Sequence, residues 1–172
     1  MYREKRKILG SYLIAVMSCI TAIFIDQITK YLAVGYLKNK DSIMIIPNVF
    51  QLHYLENRGA AFGILQNHQI VFVIGAIAIT LCIIYFYTMI PLEKKFIPLR
   101  ICAILTISGA IGNFIDRIHN NYVIDFFYFS LIDFPVFNVA DCYVVIAMIL
   151  FSYLIFFVYK DDDFVWLKKK KG

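Results

Sequence analysis

The sequence predicts an α-helical membrane protein with four spans, on three observations. Of its 172 residues, 61% are hydrophobic and only 17% charged, with a mean hydropathy of +0.72. A soluble domain is about half apolar and about a quarter charged, so the surplus has to face lipid. That surplus is gathered into four long apolar runs, and most of the basic residues stand beside those runs.

The first run, 8–25, is eighteen uncharged residues, about 27 Å as a helix and enough to reach across a hydrocarbon core. Arg3, Lys5, Arg6 and Lys7 precede it, as they would a signal peptide, and Val16-Met17-Ser18-Cys19 has the form of a lipoprotein cleavage box. The run continues past Cys19 to Ile25 with no polar segment behind the supposed cut, so it is read as an anchor. The second run is 70–90, ended by Pro91; the third is 101–115; the fourth is 142–159. With their polar neighbours these give spans at about 8–29, 69–90, 99–118 and 141–159, in a single membrane domain covering 1–172.

Charge sets the orientation. Twelve of the seventeen Lys and Arg residues lie at the N-terminus, between runs two and three (Lys94, Lys95, Arg100), or at the end (Lys160 and Lys168 to Lys171). Basic residues beside spans stay in the cytoplasm, so both termini and the 91–100 loop are placed there. The outer segments are then 31–68 and 119–140. The net charge of +5 is accounted for by topology, and no nucleic-acid partner is expected.

The outer segments have their own patterns. Phe50, Leu52 and Tyr54 alternate with polar neighbours, which predicts a short strand. Tyr122, Phe126, Phe127, Tyr128, Phe129, Phe134 and Phe137 give the second segment the aromatic density of a membrane–water boundary. Cys19, Cys82, Cys102 and Cys142 lie in apolar stretches without C-x-x-C spacing and are read as small buried hydrophobes. The three histidines show no ligand spacing. No metal and no cofactor are expected.

The acids supply the chemistry. On this topology Asp26, with Lys30 one turn further on the same helical face, lies at the outer end of span one. Asp116 ends span three, with Asn113 and Arg117 beside it. Asp141 opens span four, with Asn138 three residues ahead on the same side or as the helix cap. Asp125 belongs to the short connection between spans three and four. Four aspartates thus converge at one depth, where charge is costly and marks a functional site. No Ser–His or Cys–His arrangement, phosphate-cradling glycine loop or metal set accompanies them. Paired carboxylates remain: one keeps its proton, the other takes a proton from water, as in aspartic peptidases. The residues alone leave open which two of Asp26, Asp116, Asp125 and Asp141 form the pair. A proton- or cation-coupled transporter is the alternative reading, although such sites lie near the midplane between repeated halves and no repeat is visible here.

Five motifs in order, Asp26-Gln27-Ile28-Thr29-Lys30, Asn57-Arg58-Gly59-Ala60-Ala61-Phe62, Gly112-Asn113-Phe114-Ile115-Asp116-Arg117, Val123-Ile124-Asp125-Phe126 and Phe137-Asn138-Val139-Ala140-Asp141, resemble those of the bacterial lipoprotein signal peptidases (signal peptidase II). The resemblance implies an all-α integral membrane protein of four transmembrane helices, with a small extracytoplasmic strand-bearing cradle and a short outer helix or loop. It implies an aspartic endopeptidase in the bacterial cytoplasmic membrane, with its site near the extracytoplasmic face. Such an enzyme removes the signal peptide from diacylglyceryl-modified prolipoproteins, cutting just before the lipidated cysteine. Membrane lipids and cyclic peptide antibiotics such as globomycin are the other partners it implies. The catalytic pair becomes Asp125 and Asp141. Asp26, Lys30, Asn57, Gly59, Asn113, Asp116, Arg117, Asn138 and Ala140 match positions that support the site or the substrate.

Overall fold

A computed structural model describes residues 2–59 and 69–168 of the chain. The motif residues Ala60, Ala61 and Phe62, the end of the 31–68 segment and the lysines at 169–171 lie outside the described residues.

Helix α1 (Tyr2–Leu37) runs three turns beyond the apolar run that announced it. Its buried residues Asp26, Lys30, Ala33 and Leu37 follow at intervals of four, three and four, a single stripe, while Phe24, Ile25, Ile28, Tyr31 and Leu32 point outward. In lipid the usual pattern is inverted: the polar side chains face the protein. The helix gives way at Asn39, in the left-handed region at φ 59°, to a hairpin of β1 (Ile43–Ile46) and β2 (Phe50–Asn57). Pro47 and Asn48 make its turn; Asn48 has φ 58°, and the Val49 amide donates to the Ile46 carbonyl at 3.0 Å.

Helices α2 (Gln69–Met89) and α3 (Ile97–Asn120) are joined by a short 3-10 turn at Lys94–Phe96. Asp116 does not end α3, which continues one turn to a left-handed cap at Asn121. The connection that holds Asp125 is itself a strand, β3 (Val123–Tyr128), antiparallel to β2 in a sheet of order β1-β2-β3. Ile124 and Phe126 pack against Ala33 and Leu37 of α1, and the alternation of a strand sends Val123 and Asp125 to the other face. A 3-10 turn at Ser130–Ile132 follows. Helix α4 (Val139–Tyr153) continues into a π-helical turn at Leu154–Val158, and a 3-10 turn at Asp161–Phe164 leads to a last short helix, α5 (Val165–Lys168). Among the described residues, four helices are long and apolar enough to cross a membrane: Lys5–Leu37, Ile70–Met89, Lys94–Asn120 and Val139–Val158. The sheet is the small cradle, and the Ser130–Ile132 turn is the short outer element.

Packing explains two details. The third helix is the central one, half buried where the other three are mostly exposed. It meets α4 so closely that a Cβ on Gly109 would lie 2.5 Å from the Ala140 carbonyl oxygen, a contact only glycine permits. Arg100, counted in the sequence among the orienting charges, is buried: it donates to the Ile90 carbonyl at 2.8 Å and to Ser11 Oγ at 2.9 Å, over the Tyr87 ring. It ties α1, α2 and α3 together at the end of the bundle away from the four aspartates. Of the cysteines, Cys102 is buried and Cys19 and Cys142 are half-buried, but Cys82 is exposed on the outer face of α2.

Candidate active site

The sequence-predicted acids meet in one network with two layers. In the deeper layer, Lys30 Nζ has three acceptors for its three protons: Asp26 Oδ2 at 3.0 Å, Asp116 Oδ2 at 2.9 Å and Asn113 Oδ1 at 2.9 Å. Lys30, Asp26 and Asp116 are all essentially removed from solvent, where an unpaired charge would be prohibitive. The expected Asp26–Lys30 pair is therefore a triad. Asp26 Oδ1 also accepts from the Ala140 amide at 2.9 Å, and Asp116 Oδ2 from the Ile124 amide at 3.1 Å. These two carboxylates thus fix the start of α4 and the strand that carries Asp125.

Gln27 completes this layer, donating to Asp26 Oδ2, Asp116 Oδ1 and the Gly112 carbonyl. Sequence reasoning quoted Gln27 within its motif but gave it no role. Gly112 was missed in the same way: a Cβ there would stand 2.5 Å from Asp26 Oδ2. The available signal was its place one residue before Asn113, with Gly109 three residues earlier on the same helical face.

The upper layer holds Asp125 and Asp141. Asp125 accepts from Asn57 Nδ2 at 2.8 Å and Asn138 Nδ2 at 2.6 Å. Asp141 accepts from Asn113 Nδ2 at 2.8 Å and the Asn138 amide at 3.1 Å. Asn138 is the N-cap of α4 and accepts from the Asp141 amide at 3.0 Å, so the two form a capping box. The box fixes the backbone and side chain of Asp141 in the first turn. Asn113 and Asn138 also bond to each other at 3.1 Å. Their amide orientations follow from chemistry: Lys30 only donates, so Asn113 must offer it the oxygen and turn its nitrogen to Asp141. The two carboxylates thus hang from one pair of asparagines, which are in turn anchored on Lys30.

Asp125 and Asp141 line an open cleft of 570 Å³ together with Asn57, Gly59, Asn113 and Arg117. Phe134 and Phe137 contribute an aromatic edge to the same cleft. Burial, with the nearby Asp141 charge adding to it, pushes the Asp125 carboxyl up to about 7; the donors Asn57 and Asn138 and the Lys30 charge work against the rise. Asp125 therefore keeps its proton to higher pH than an ordinary carboxylate does. Arg117 lies over the Phe72 ring and makes only long contacts, 3.5 Å each, to the Asn113 and Gly59 carbonyls; its buried Nε has no acceptor among the described residues. Gly59 donates its amide to Asn57 Oδ1 at 3.0 Å, which orients the Asn57 amide nitrogen toward Asp125.

Of the eleven sequence-predicted site residues, Asp26, Lys30, Asp116 and Ala140 form the supporting layer. Asn57, Gly59, Asn113, Arg117, Asp125 and Asp141 line the cleft, and Asn138 joins the two groups. Every one of them belongs to a single connected cluster. The arrangement can hold one proton between two carboxylates beside space for a substrate.

Known proteins share this chain's pattern. The family described as signal peptidase (SPase) II matches residues 18–157. A lipoprotein signal peptidase of Caldanaerobacter subterraneus subsp. tengcongensis is 43% identical over 136 residues, which cover 78% of this chain and 90% of that protein. The lipoprotein signal peptidase of Clostridioides difficile is 43% identical over 143 residues, covering 83% and 95% of the two chains. A solved bacterial membrane enzyme superposes with a TM-score of 0.72 at 30% identity, covering 92% of this chain and 93% of its own. The transporter alternative has no support among these relatives.

Proposed function

The chain belongs to the signal peptidase II family, and from that premise we propose how it removes the signal peptide from diacylglyceryl-modified prolipoproteins, just before the lipidated cysteine. It is an aspartic peptidase of signal peptidase II type. Asp125 and Asp141 are the catalytic residues, and one observation carries the assignment. They are the two carboxylates of the network that line the cleft, while Asp26 and Asp116 are spent on Lys30 and on backbone amides.

In the reaction, a water lies between the two carboxyl groups and the scissile carbonyl. Asp125, whose raised affinity keeps a proton near neutral pH, donates it to the carbonyl oxygen. Asp141 takes a proton from the attacking water, and the C–O bond that forms gives a gem-diol. Asp141 then protonates the departing cysteine nitrogen, the C–N bond breaks, and a gem-diol hydroxyl returns its proton to Asp125. One water is consumed, and a carboxyl terminus and an amine are released. Arg117, short of acceptors, binds substrate carbonyls at the edge of the cleft. Asn57 and Asn138 hold Asp125 in place.

The site lies near the extracytoplasmic face of the bacterial cytoplasmic membrane, with both termini in the cytoplasm, in one domain spanning the whole chain. Membrane lipids surround it, and cyclic peptide antibiotics such as globomycin compete for the cleft. The test uses purified protein in detergent with a lipidated precursor peptide. Cleavage that survives a strong chelator and falls by about 10²-fold or more in Asp125→Asn and in Asp141→Asn, with folding retained, is the expected result. Near-normal turnover by either variant removes that residue from the pair.

A further inference from the structure

Two carboxylates and one lysine leave the deeper layer short of donors. Lys30 gives one proton each to Asp26 Oδ2, Asp116 Oδ2 and Asn113 Oδ1. Backbone amides add one donor per acid: Ala140 to Asp26 Oδ1 at 2.9 Å, and Ile124 to Asp116 Oδ2 at 3.1 Å. Among the described residues, the donor at Asp116 Oδ1 is Gln27. Its Nε2 stands 3.1 Å from that oxygen, 3.1 Å from Asp26 Oδ2 and 3.2 Å from the Gly112 carbonyl. Carboxylates and carbonyls only accept, so the amide nitrogen of Gln27, and not its oxygen, faces them. Gln27 thus joins the two acids without adding a charge.

The aim of the Asp116 carboxylate matters because of what it holds. Ile124, whose amide it accepts, immediately precedes Asp125 in β3. The ladder to β2 is irregular at this point. Leu55 pairs with Asp125 and Leu52 with Phe127, so His53 and Tyr54 together stand opposite Phe126 and the register shifts. Asp116 supplies the fixed point that a broken ladder lacks. Asp125 in turn has to meet the side-chain nitrogens of Asn57 and Asn138 at 2.8 and 2.6 Å. A chain of contacts therefore runs from Gln27 on α1, through Asp116 on α3 and the Ile124 amide, to Asp125 on β3. Gln27 itself is not among the residues that line the catalytic cleft.

We propose that Gln27 is a positioning residue of the peptidase: it aims the Asp116 carboxylate at the Ile124 amide and so sets where Asp125 stands in the cleft. The proposal rests on the peptidase reading above. A residue that merely fills space needs only volume, whereas this role needs the N–H groups. The two are separable, because Met is unbranched and of similar length but donates nothing. They are separable in kinetics as well. A residue remote from the cleft leaves substrate binding alone, while a displaced Asp125 slows the chemical step.

The experiment measures kcat, KM and melting temperature for the full-length chain in detergent, with a lipidated precursor peptide as substrate. In Gln27→Met, kcat is expected to fall about tenfold to a hundredfold while KM stays within about twofold. Gln27→Glu sets a third acceptor against the two acids and should fall at least as far. The decisive variant is Gln27→Glu/Asp116→Asn, which exchanges donor and acceptor. The amide at position 116 then offers its oxygen to Lys30 and the Ile124 amide and its nitrogen to the carboxylate at 27, and the layer again holds two acids and one lysine. Its kcat is expected to exceed that of either Gln27→Glu or Asp116→Asn by about threefold to tenfold, the coupling expected of side chains in direct contact. Wild-type kcat in Gln27→Met, or a rise in KM with kcat unmoved, overturns the proposal. So does a double variant with no recovery, which decides the matter even if Gln27→Met proves too unstable to assay. If wild type cleaves no lipidated precursor, the peptidase reading itself fails, which is a separate outcome.

Discussion

Lys30 carries a single charge against two buried carboxylates, and its three protons are all used. Removing either acid leaves it the other, so Asp26→Ala alone does not strand it; removing Lys30 strands both acids. Lys30→Met is therefore expected to be the most damaging single change in the deeper layer, costing about 3–5 kcal/mol. Thermal unfolding in detergent checks this, with Asp26→Asn expected to be the milder variant. Asp125 gives the second residue-scale prediction. Its carboxyl is pushed up to about 7, so the folded state binds more protons than the unfolded chain between the ordinary carboxylate range and about 7. Sign follows: this group favours folding at low pH, and its contribution is lost as pH rises through that window. Because Asp125 holds the proton in the proposed reaction, the cleavage rate should also fall on the alkaline side near 7, as a property of the pair. Asn57→Leu removes a donor that favours the charged form, so the alkaline limb should move upward. A limb that stays in place, or moves down, would argue against Asp125 as the proton holder.

Helices α3 and α4 show what an element contributes. Their approach places the Ala140 amide on Asp26 and lets Asn113 reach Asp141, and it depends on Gly109 and Gly112. At Gly109 the obstacle is backbone, the Ala140 carbonyl oxygen, together with a Val144 methyl at 2.7 Å; neither can swing aside. Gly109→Val should therefore part the helices at a cost of about 1–3 kcal/mol and reduce cleavage along with stability. At Gly112 the obstacle is the Asp26 carboxylate, which would have to leave Lys30. The measurement is melting temperature beside activity for each variant, with Gly75→Ala as the control, since a Cβ there meets nothing within 4 Å.

At the scale of the whole molecule, the network joins every element that builds the site. Asp26 holds α4, Asp116 holds β3, and Arg100 closes the opposite end against α1 and α2. The proposed placement near the outer face adds a constraint on substrate. Two acyl chains pin a modified cysteine at headgroup depth, whereas an unmodified precursor samples many depths. Holding the scissile bond in attack geometry lowers the barrier, so the unlipidated precursor should be cleaved far more slowly even at saturation. Equal rates for the two forms in one bilayer would contradict that placement.

The sequence by itself determined the membrane class, the four apolar helices, the strand at Phe50 and the convergence of Asp26, Asp116, Asp125 and Asp141, because lipid makes both long apolar runs and isolated charges conspicuous. The resemblance of the motifs then pointed to Asp125 and Asp141 as the proposed pair. Three things were decided only by tertiary structure. The strand containing Asp125 reads locally as an aromatic boundary segment; it becomes a strand because β2 offers it hydrogen bonds and α1 offers Ala33 and Leu37. Lys30 reads as the partner of Asp26, one turn away; that it also serves Asp116 and Asn113 depends on how closely α1 meets α3. Arg100 reads as one more cytoplasmic charge, and only the packing of Ser11, Tyr87 and the Ile90 carbonyl around it makes it a buried tie. Local sequence reports what a residue costs to bury. Which partners meet that cost is a property of segments far apart in the chain, and it exists only once they are packed together.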